Sequence, residues 1–234
     1  MTLHFPAYTT VVNQAEQETP VTPHHTAQNA SKHNLYRKYL KRTLDAVCVL
    51  LAGPVVLPLI ILLAMLIALD GHNPFYSQTR IGRNGHKFRM WKLRTMVHNA
   101  DTLLEVCLAA DPNARREWET TQKLKMDPRI TFMGKFLRKT SFDELPQLFN
   151  VLTGTMSLVG PRPMLIGQQR YYTGTAYYLL RPGITGMWQV SDRNNCEFQM
   201  RAYYDALYEE KLSLKTDVKI LFQTVNVVLR ATGH

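Results

Sequence analysis

Residues 46–69 read AVCVLLAGPVVLPLIILLAMLIAL and carry no charged side chain. About 20 apolar residues suffice to cross the hydrocarbon core of a bilayer, so this segment predicts a membrane helix. Pro54 and Pro58 lie inside it, and a proline removes a helical hydrogen bond and clashes with the preceding turn. The prolines therefore predict either a kinked helix that crosses the membrane or a broken helix that dips in and returns.

Basic residues lie on both sides of the apolar segment. Lys41 and Arg42 precede it, and a stretch rich in arginine and lysine, residues 80–94, follows it. Because cytoplasmic flanks carry the excess of lysine and arginine, this pattern places both ends on the cytoplasmic side. Both alternatives for the helix remain open at this point.

The rest of the chain predicts a helix-rich α/β fold. We expect a disordered tail in residues 1–34, a basic lead-in and proline-broken membrane helix in 35–70, and a compact, membrane-apposed cytosolic domain in 71–234. A β-hairpin is expected around Asn84-Gly85, because this dipeptide favours a tight turn. Further helices are expected in residues 99–125, 141–152, 196–211 and 214–230. Breaks are expected at Asp111-Pro112, at Thr153-Gly154 and at a turn cluster in residues 181–186. The last is amphipathic, so we expect it to pack on the domain or the membrane surface.

The net charge of +10 indicates an anionic partner. Nucleic acid, lipid headgroups and a nucleotide substrate all fit the charge alone. The basic residues cluster beside the apolar segment and no nucleic-acid-binding motif is present, which favours a lipid or a diphosphate over nucleic acid. The three cysteines are widely spaced, so a reduced, cytosol-facing protein is expected.

The second informative stretch is RKTSFDELPQLFNVLTGTMSLVGPRP, residues 138–163. It brings the adjacent acids Asp143 and Glu144 close in sequence to Arg138 and to Arg162, which lies between two prolines. One reading is structural, because Ser141 and Glu144 fit a helix capping box. The other is chemical: one carboxylate attacks phosphorus, the other holds Mg²⁺, and the arginines bind phosphate. Since neighbouring helix residues do not face each other, we expect the two acids to have different roles.

Lys92, Arg181 and Gln189 are further candidates for contact with the substrate or its phosphates. Lys92 belongs to the basic stretch after the membrane segment, and Arg181 opens the turn cluster. Gln189 could bond to a nucleobase stacked on Trp188, although a single tryptophan is more often part of a core.

Four motifs occur in an order that resembles the bacterial sugar transferases. They are KRTLD at 41–45, FDELPQLFNVL at 142–152, SLVGPRP at 157–163 and RPGITGMWQV at 181–190. These enzymes are monotopic polyprenyl-phosphate sugar-1-phosphate transferases that start exopolysaccharide and O-antigen assembly. The resemblance extends over residues 35–231, and it is closest to the undecaprenyl-phosphate galactose phosphotransferases.

The resemblance implies a role for each residue of the block. Asp143 matches the nucleophile that attacks the β-phosphate of a UDP-sugar, releases UMP and holds the sugar phosphate covalently. Glu144 matches the partner acid at Mg²⁺, so both carboxylates are candidate metal ligands. Arg138 and Arg162 match arginines that contact phosphate. Undecaprenyl phosphate then takes the sugar phosphate from Asp143.

The resemblance also implies a re-entrant membrane helix at the cytoplasmic face of the bacterial inner membrane. Lys41, Arg42, Asp45 and the breaks at Pro54 and Pro58 would support it. Expected partners are a UDP-sugar, undecaprenyl phosphate, membrane lipids and downstream glycosyltransferases, with homo-oligomerisation open and no nucleic acid. Alternatives are UDP-glucose or a UDP-N-acetylated sugar as donor, a phosphatase, a non-catalytic regulator and a membrane-tethered basic binding protein.

Overall fold

The computed structural model describes residues 35–121, 124–191, 198 and 200–229. The tail predicted for residues 1–34 lies outside the described residues. The fold is helix-rich α/β, as predicted. In chain order its elements are α1 (Lys41–Ala68), β1 (Phe75–Ile81), β2 (Lys87–Leu93), α2 (Ala100–Ala110), α3 (Pro112–Thr121), α4 (Phe132–Thr140), α5 (Gln147–Thr153), β3 (Ser157–Val159), α6 (Ala176–Leu179), β4 (Gly183–Thr185), α7 (Met187–Val190), α8 (Met200–Glu210) and α9 (Leu214–Leu229).

The apolar segment forms α1, which continues from a π-helical turn at Tyr36–Leu40. The combined helix has a mean hydropathy of 2.8 in its most apolar window and is long enough to cross a membrane by length and composition. Pro54 and Pro58 lie within the helix, and neither divides it into two elements. The segment is thus one helical element, and the break at the prolines and the re-entrant course remain predictions.

The lead-in turn and the first turns of α1 are fastened to the domain through Asp217 of α9. Lys41 Nζ lies 2.6 Å from Asp217 Oδ2, and the Tyr36 hydroxyl donates to the same oxygen at 2.7 Å. The Tyr208 hydroxyl donates to the other oxygen at 2.6 Å. Asp217 is buried, so its charge is stabilised by these three donors together. The sequence offers no signal for this contact, because 176 residues separate Lys41 from Asp217.

Arg42 and Asp45 make a second attachment of α1. Arg42 donates to the carbonyl of Leu152 at 2.5 Å and also to that of Val151, at the end of α5. The Ser157 hydroxyl donates to Asp45 at 2.6 Å. Lys41, Arg42 and Asp45 therefore fix the direction in which α1 leaves the domain.

β1 and β2 form the predicted antiparallel hairpin, with Tyr76 opposite Lys92 and Arg80 opposite Phe88. Asn84 has a φ of 57° and Gly85 a φ of 77°, as the tight turn requires. Because side chains alternate across a strand, these four residues lie on one face of the hairpin. That face lines the candidate site described below.

The turn cluster at 181–186 contains a strand that the sequence analysis missed. β4 pairs in parallel with β3, with Ser157 opposite Gly183. A Cβ on Gly183 would lie 2.1 Å from the Gly160 nitrogen, and one on Gly186 would lie 2.0 Å from the Gly160 oxygen. These glycines are required because the two chain segments approach too closely for any side chain.

The capping box at Ser141 is not formed, so that prediction is wrong. Ser141 has a φ of 59° and ends α4, where its backbone N–H bonds to the carbonyls of Arg138 and Leu137. A 3₁₀ turn, Phe142–Glu144, follows in place of an α-helix, and α5 begins at Gln147. The predicted stop is confirmed, because Gly154 caps α5 with a φ of 81°.

Candidate active site

An open cleft with a volume of about 610 Å³ lies between the hairpin, the loop after β2 and the 3₁₀ turn. We call it the acid–arginine cleft. Its walls are strongly charged: the charged residues that line it are Arg80, Lys92, Arg94, Asp101, Arg138, Asp143, Glu144 and Arg162. Cations outnumber acids in this set, so the cleft is suited to an anionic ligand.

Asp143 and Glu144 converge on Lys92. Lys92 Nζ lies 3.2 Å from Asp143 Oδ2 and 2.7 Å from Glu144 Oε1. The expectation of different roles for the two acids assumed an α-helix, in which neighbouring residues do not face each other, whereas these residues lie on a 3₁₀ turn and share one ammonium group. Lys92, which was predicted to contact the substrate, thus contacts both acids in this structure.

Asp143 is the more buried of the two acids, with 7% of its surface exposed. Burial raises the pKa of its carboxyl above the ordinary value, and the ammonium of Lys92 opposes this rise. The carboxylate is poorly solvated, and the cations that act on it are Lys92, in direct contact, and Arg138. These are properties of an oxygen that can attack a bound electrophile.

Arg138 and Arg162 lie at the same cleft as the acids. Arg138 Nε donates to the Thr95 hydroxyl at 2.9 Å, which orients its guanidinium. Burial lowers the pKa of Arg138, and Asp143 counteracts that change. Arg162 has an exposed side chain at the rim. The structure therefore brings together Lys92, Arg138, Asp143, Glu144 and Arg162.

The backbone around Arg162 is held at three consecutive residues. Arg201 donates to the Arg162 carbonyl at 2.6 Å, and Arg80 donates to the Pro163 carbonyl at 3.2 Å. The Met164 N–H donates to the Tyr177 hydroxyl at 3.0 Å. We call this arrangement the backbone clamp. It fixes the position from which the Arg162 side chain extends over the cleft.

Arg201 is the more buried arginine of the backbone clamp. Only 5% of its surface is exposed, and its guanidinium lies 5.3 Å from the Trp188 ring and 4.9 Å from the Phe198 ring. Sequence reasoning missed both clamp arginines. The hairpin alternation could have revealed Arg80, which shares a face with Lys92, but nothing in the sequence connects α8 with residue 162.

Asp205 lies beside Arg201 and accepts a hydrogen bond from the Tyr172 hydroxyl at 3.0 Å. Burial raises its pKa from 3.8 to about 6, against the opposing effects of Tyr172 and Arg201. Its stabilising contribution is therefore full below pH 3.8 and is lost as the pH rises through about 6.

Asp205→Asn is expected to become more stable relative to the original protein as the pH rises from 4 to 8. The difference in unfolding free energy should change by up to about 3 kcal/mol over this range, since one pKa unit corresponds to about 1.4 kcal/mol. Thermal unfolding of both proteins in detergent across that pH range measures it. A difference that is independent of pH would contradict the buried, titrating Asp205.

Two predicted substrate residues lie outside the acid–arginine cleft. Arg181 Nε donates to the Gly154 carbonyl at 3.0 Å, and its side chain lines a small crevice with Lys41 and Asp45 at the start of α1. The structure does not bring Arg181 to the acid pair. Gln189 is buried and lines a neighbouring apolar trough.

Asp143 and Glu144 can bind a hard cation only when a bound substrate supplies further oxygen ligands. Among the described residues, no group of three or more His, Cys, Asp or Glu side chains is placed to hold a metal. Asp143 and Glu144 offer two carboxylates at one cleft, and Mg²⁺ is typically held by one or two carboxylates plus substrate phosphates and water. The donor set therefore fits Mg²⁺ bound with a diphosphate.

Three relatives cover most of this chain. An uncharacterized sugar transferase of Haemophilus influenzae is 50% identical over 88% of the chain, which spans 44% of that protein. The undecaprenyl-phosphate galactose phosphotransferase of Salmonella typhimurium is 49% identical over 84% of the chain and 42% of its own length. The exopolysaccharide production protein ExoY of Sinorhizobium fredii is 42% identical over 82% of the chain and 87% of its own length.

The chain thus spans less than half of the first two relatives and most of the third. Residues 36–231 match the family described as bacterial sugar transferase. This match covers both the membrane-type helix and the acid–arginine cleft. The chain therefore belongs to the bacterial sugar transferase family.

Proposed function

We propose that this protein transfers a hexose-1-phosphate, galactose-1-phosphate in the first instance, from a UDP-sugar to undecaprenyl phosphate. The observation that carries the proposal is a buried carboxylate, Asp143, in a cation-rich cleft on a domain fastened to a long apolar helix. The relatives named for galactose phosphotransfer and exopolysaccharide production support the same chemistry.

In the first step, a carboxylate oxygen of Asp143 attacks the β-phosphorus of the UDP-sugar. A bond forms between that oxygen and phosphorus, and the bond from phosphorus to the bridging oxygen breaks. The electron pair leaves with UMP, and the sugar phosphate remains on Asp143. Arg138 and Arg162 neutralise charge on the phosphate oxygens. Lys92 contacts both acids, so its ammonium can stay paired with Glu144 when the Asp143 carboxylate loses its charge.

In the second step, a phosphate oxygen of undecaprenyl phosphate attacks the same phosphorus. The new bond to the lipid phosphate forms as the bond to Asp143 breaks, and the electron pair returns to the carboxylate. The product is undecaprenyl-diphospho-sugar. Two displacements let the donor nucleotide leave before the lipid arrives, which suits one cleft serving two large substrates.

Mg²⁺ held by Asp143 and Glu144 with the donor diphosphate would supply charge neutralisation for the leaving UMP. The cytoplasmic face of the bacterial inner membrane is the proposed location, because it offers the nucleotide sugar on one side and the lipid on the other. The product would then pass to downstream glycosyltransferases of exopolysaccharide assembly.

The test is UMP release by purified protein with Mg²⁺, undecaprenyl phosphate and one UDP-sugar at a time. UDP-galactose is expected to give the highest kcat/KM, and UDP-glucose and UDP-N-acetylglucosamine lower values. A higher kcat/KM for UDP-glucose would support the same reaction with glucose as the transferred sugar. Absence of UMP with every donor would favour a non-catalytic regulator, and release of free phosphate would indicate a phosphatase.

Arg201→Met is expected to lower kcat for this transfer by about a hundredfold, because displacement of a phosphate-binding group by 1 Å can cost that much. Arg201→Lys should recover part of the loss, since the ammonium can still donate to the Arg162 carbonyl. Steady-state kinetics with both substrates gives kcat and KM separately.

Arg170→Met is the matched control for that variant. Arg170 is exposed and lies over the Tyr171 ring, 4.7 Å from its centroid, so it also combines a guanidinium with an aromatic ring. This control should keep normal kinetics. Equal kcat in Arg201→Met and the original protein would show that the backbone clamp does not position Arg162 for catalysis.

A further inference from the structure

A second concavity, which we call the apolar trough, adjoins the acid–arginine cleft. Its volume is about 250 Å³, and its apolar walls come from Phe142, Leu145, Leu148, Ile184, Val190 and Val227. Glu144 and Arg162 line both the trough and the cleft. One phosphate-binding arginine therefore stands between a charged compartment and an apolar one.

The apolar trough is continuous with the elements that present apolar surface to the outside. Phe142 and Leu145 pack against the cluster that Leu63, Ala64 and Ile67 of α1 form together with Leu93 and Leu137. The opposite wall is formed by α9, which presents an apolar stripe to the outside beside a polar one. Its exposed large side chains are Leu214, Val218, Phe222 and Val225. An apolar ligand in the trough could therefore extend from Arg162 past Phe142 and Leu145 toward the membrane-type helix.

Gln189 supplies a polar feature inside the apolar trough. Only 6% of the residue is exposed. Among the described residues neither its Nε2 nor its Oε1 has a hydrogen-bond partner. A buried carboxamide without partners costs free energy, so a polar ligand atom placed beside it would be stabilised by hydrogen bonding. The amide can donate to a phosphate oxygen that Arg162 also binds.

We propose that the apolar trough is the acceptor subsite, and that it holds the phosphate-proximal isoprene units of the polyprenyl phosphate. The lipid phosphate would lie between Arg162 and Gln189, and the donor nucleotide would occupy the acid–arginine cleft. This inference rests on the proposed function and adds the position of the second substrate. The trough is too small for a long polyprenyl chain, so the remainder stays among lipids.

The charges favour the lipid over the nucleotide as the occupant of the apolar trough. A UDP-sugar carries a diphosphate, and Arg80, Lys92 and Arg138 all line the cleft and not the trough. The trough offers one cation, Arg162, which matches a single terminal phosphate. Apart from Glu144, Gln189 and the hydroxyl side chains of four residues, the remaining walls are apolar and match a hydrocarbon chain.

Val227→Trp, with Val225→Trp as its control, tests this assignment. Both valines lie on α9, but Val227 lines the apolar trough whereas 54% of Val225 is exposed. Two reactions are measured in detergent micelles. The first is the UMP burst from UDP-galactose without lipid, and the second is sugar-phosphate transfer to undecaprenyl phosphate.

A tryptophan at residue 227 should fill the trough and raise the KM for undecaprenyl phosphate about tenfold or more, with a much smaller effect on the UMP burst. Val225→Trp should behave as the original protein in both reactions. The surviving UMP burst also shows that the variant is folded. Val227→Thr keeps nearly the shape of valine and tests the trough if the tryptophan variant misfolds. It should raise the KM for undecaprenyl phosphate and leave the UMP burst unchanged.

Two results would overturn the assignment. One is a UMP burst that falls as much as lipid transfer does, which would place the nucleotide in the apolar trough. The other is an unchanged KM for undecaprenyl phosphate in both Val227 variants. Failure of the proposed function has a different signature, because the original protein itself would then release no UMP.

Discussion

Asp143→Asn is expected to lower UMP release by about ten-thousandfold or more, with or without the lipid acceptor. The amide has nearly the shape of the carboxylate but cannot donate an electron pair to phosphorus as an anionic oxygen does. Lys92 would keep its contact with Glu144, 2.7 Å away, so the cleft should retain its shape. A sensitive UMP assay at saturating UDP-galactose measures the loss.

The same variant should be at least as stable as the original protein at neutral pH. Burial raises the folded-state pKa of Asp143 above its value in the unfolded chain. The stabilising contribution of this group is therefore full below the unfolded pKa and is lost as the pH rises through the folded pKa. Above the folded pKa the ionised carboxylate has a net cost, which asparagine removes.

Thermal unfolding at pH 7.5 separates loss of chemistry from loss of fold. An inactive Asp143→Asn with an unchanged or higher Tm would support the role of Asp143 as nucleophile. Asp111→Asn, an exposed aspartate that accepts a bond from the Asn113 N–H, is the control and should keep full activity. UMP release by Asp143→Asn close to that of the control would exclude Asp143 as the nucleophile.

Arg162→Ala is expected to reduce kcat/KM for the UDP-sugar by about a hundredfold to a thousandfold, as loss of a preorganised donor to a developing oxyanion does. The prolines on both sides and the backbone clamp hold the chain at this residue. The guanidinium therefore reaches the phosphate with little loss of conformational freedom. The effect should be larger than for an arginine on a mobile loop.

Arg162→Lys should restore only a small part of that activity, because an ammonium cannot bind two phosphate oxygens with a planar fork. Arg89→Ala is the matched control, since Arg89 is exposed on the face of β2 opposite Lys92. Steady-state kinetics of the three variants makes the comparison. Full activity in Arg162→Lys would show that Arg162 provides charge alone.

Local signals in the sequence predicted several elements of the fold correctly. Asn84-Gly85 determines a tight turn through its own backbone preferences, and Gly154 ends a helix for the same reason. The sequence also grouped the acid pair with its two arginines, because they lie within one short stretch of chain, and the structure places all four at one cleft.

The errors and omissions involve contacts that are distant in sequence or dictated by packing. Ser141 satisfies a capping pattern, yet the end of α4 holds it in a left-handed conformation. Arg201 contacts residue 162 from 39 residues away, and Asp217 holds Lys41 from 176 residues away. No periodicity or motif reports such pairs. The apolar trough was equally invisible, since its walls come from five separate segments.

The covalent intermediate is the central claim, and one measurement tests it most directly. The purified protein is incubated with UDP-galactose and Mg²⁺ without any lipid acceptor, and its peptides are then examined by mass spectrometry. We predict that a hexose phosphate is attached to Asp143, in amounts that match the UMP released, and that it disappears when undecaprenyl phosphate is added. An unmodified Asp143 in a preparation that still makes the lipid product would contradict the account, because transfer would then be direct.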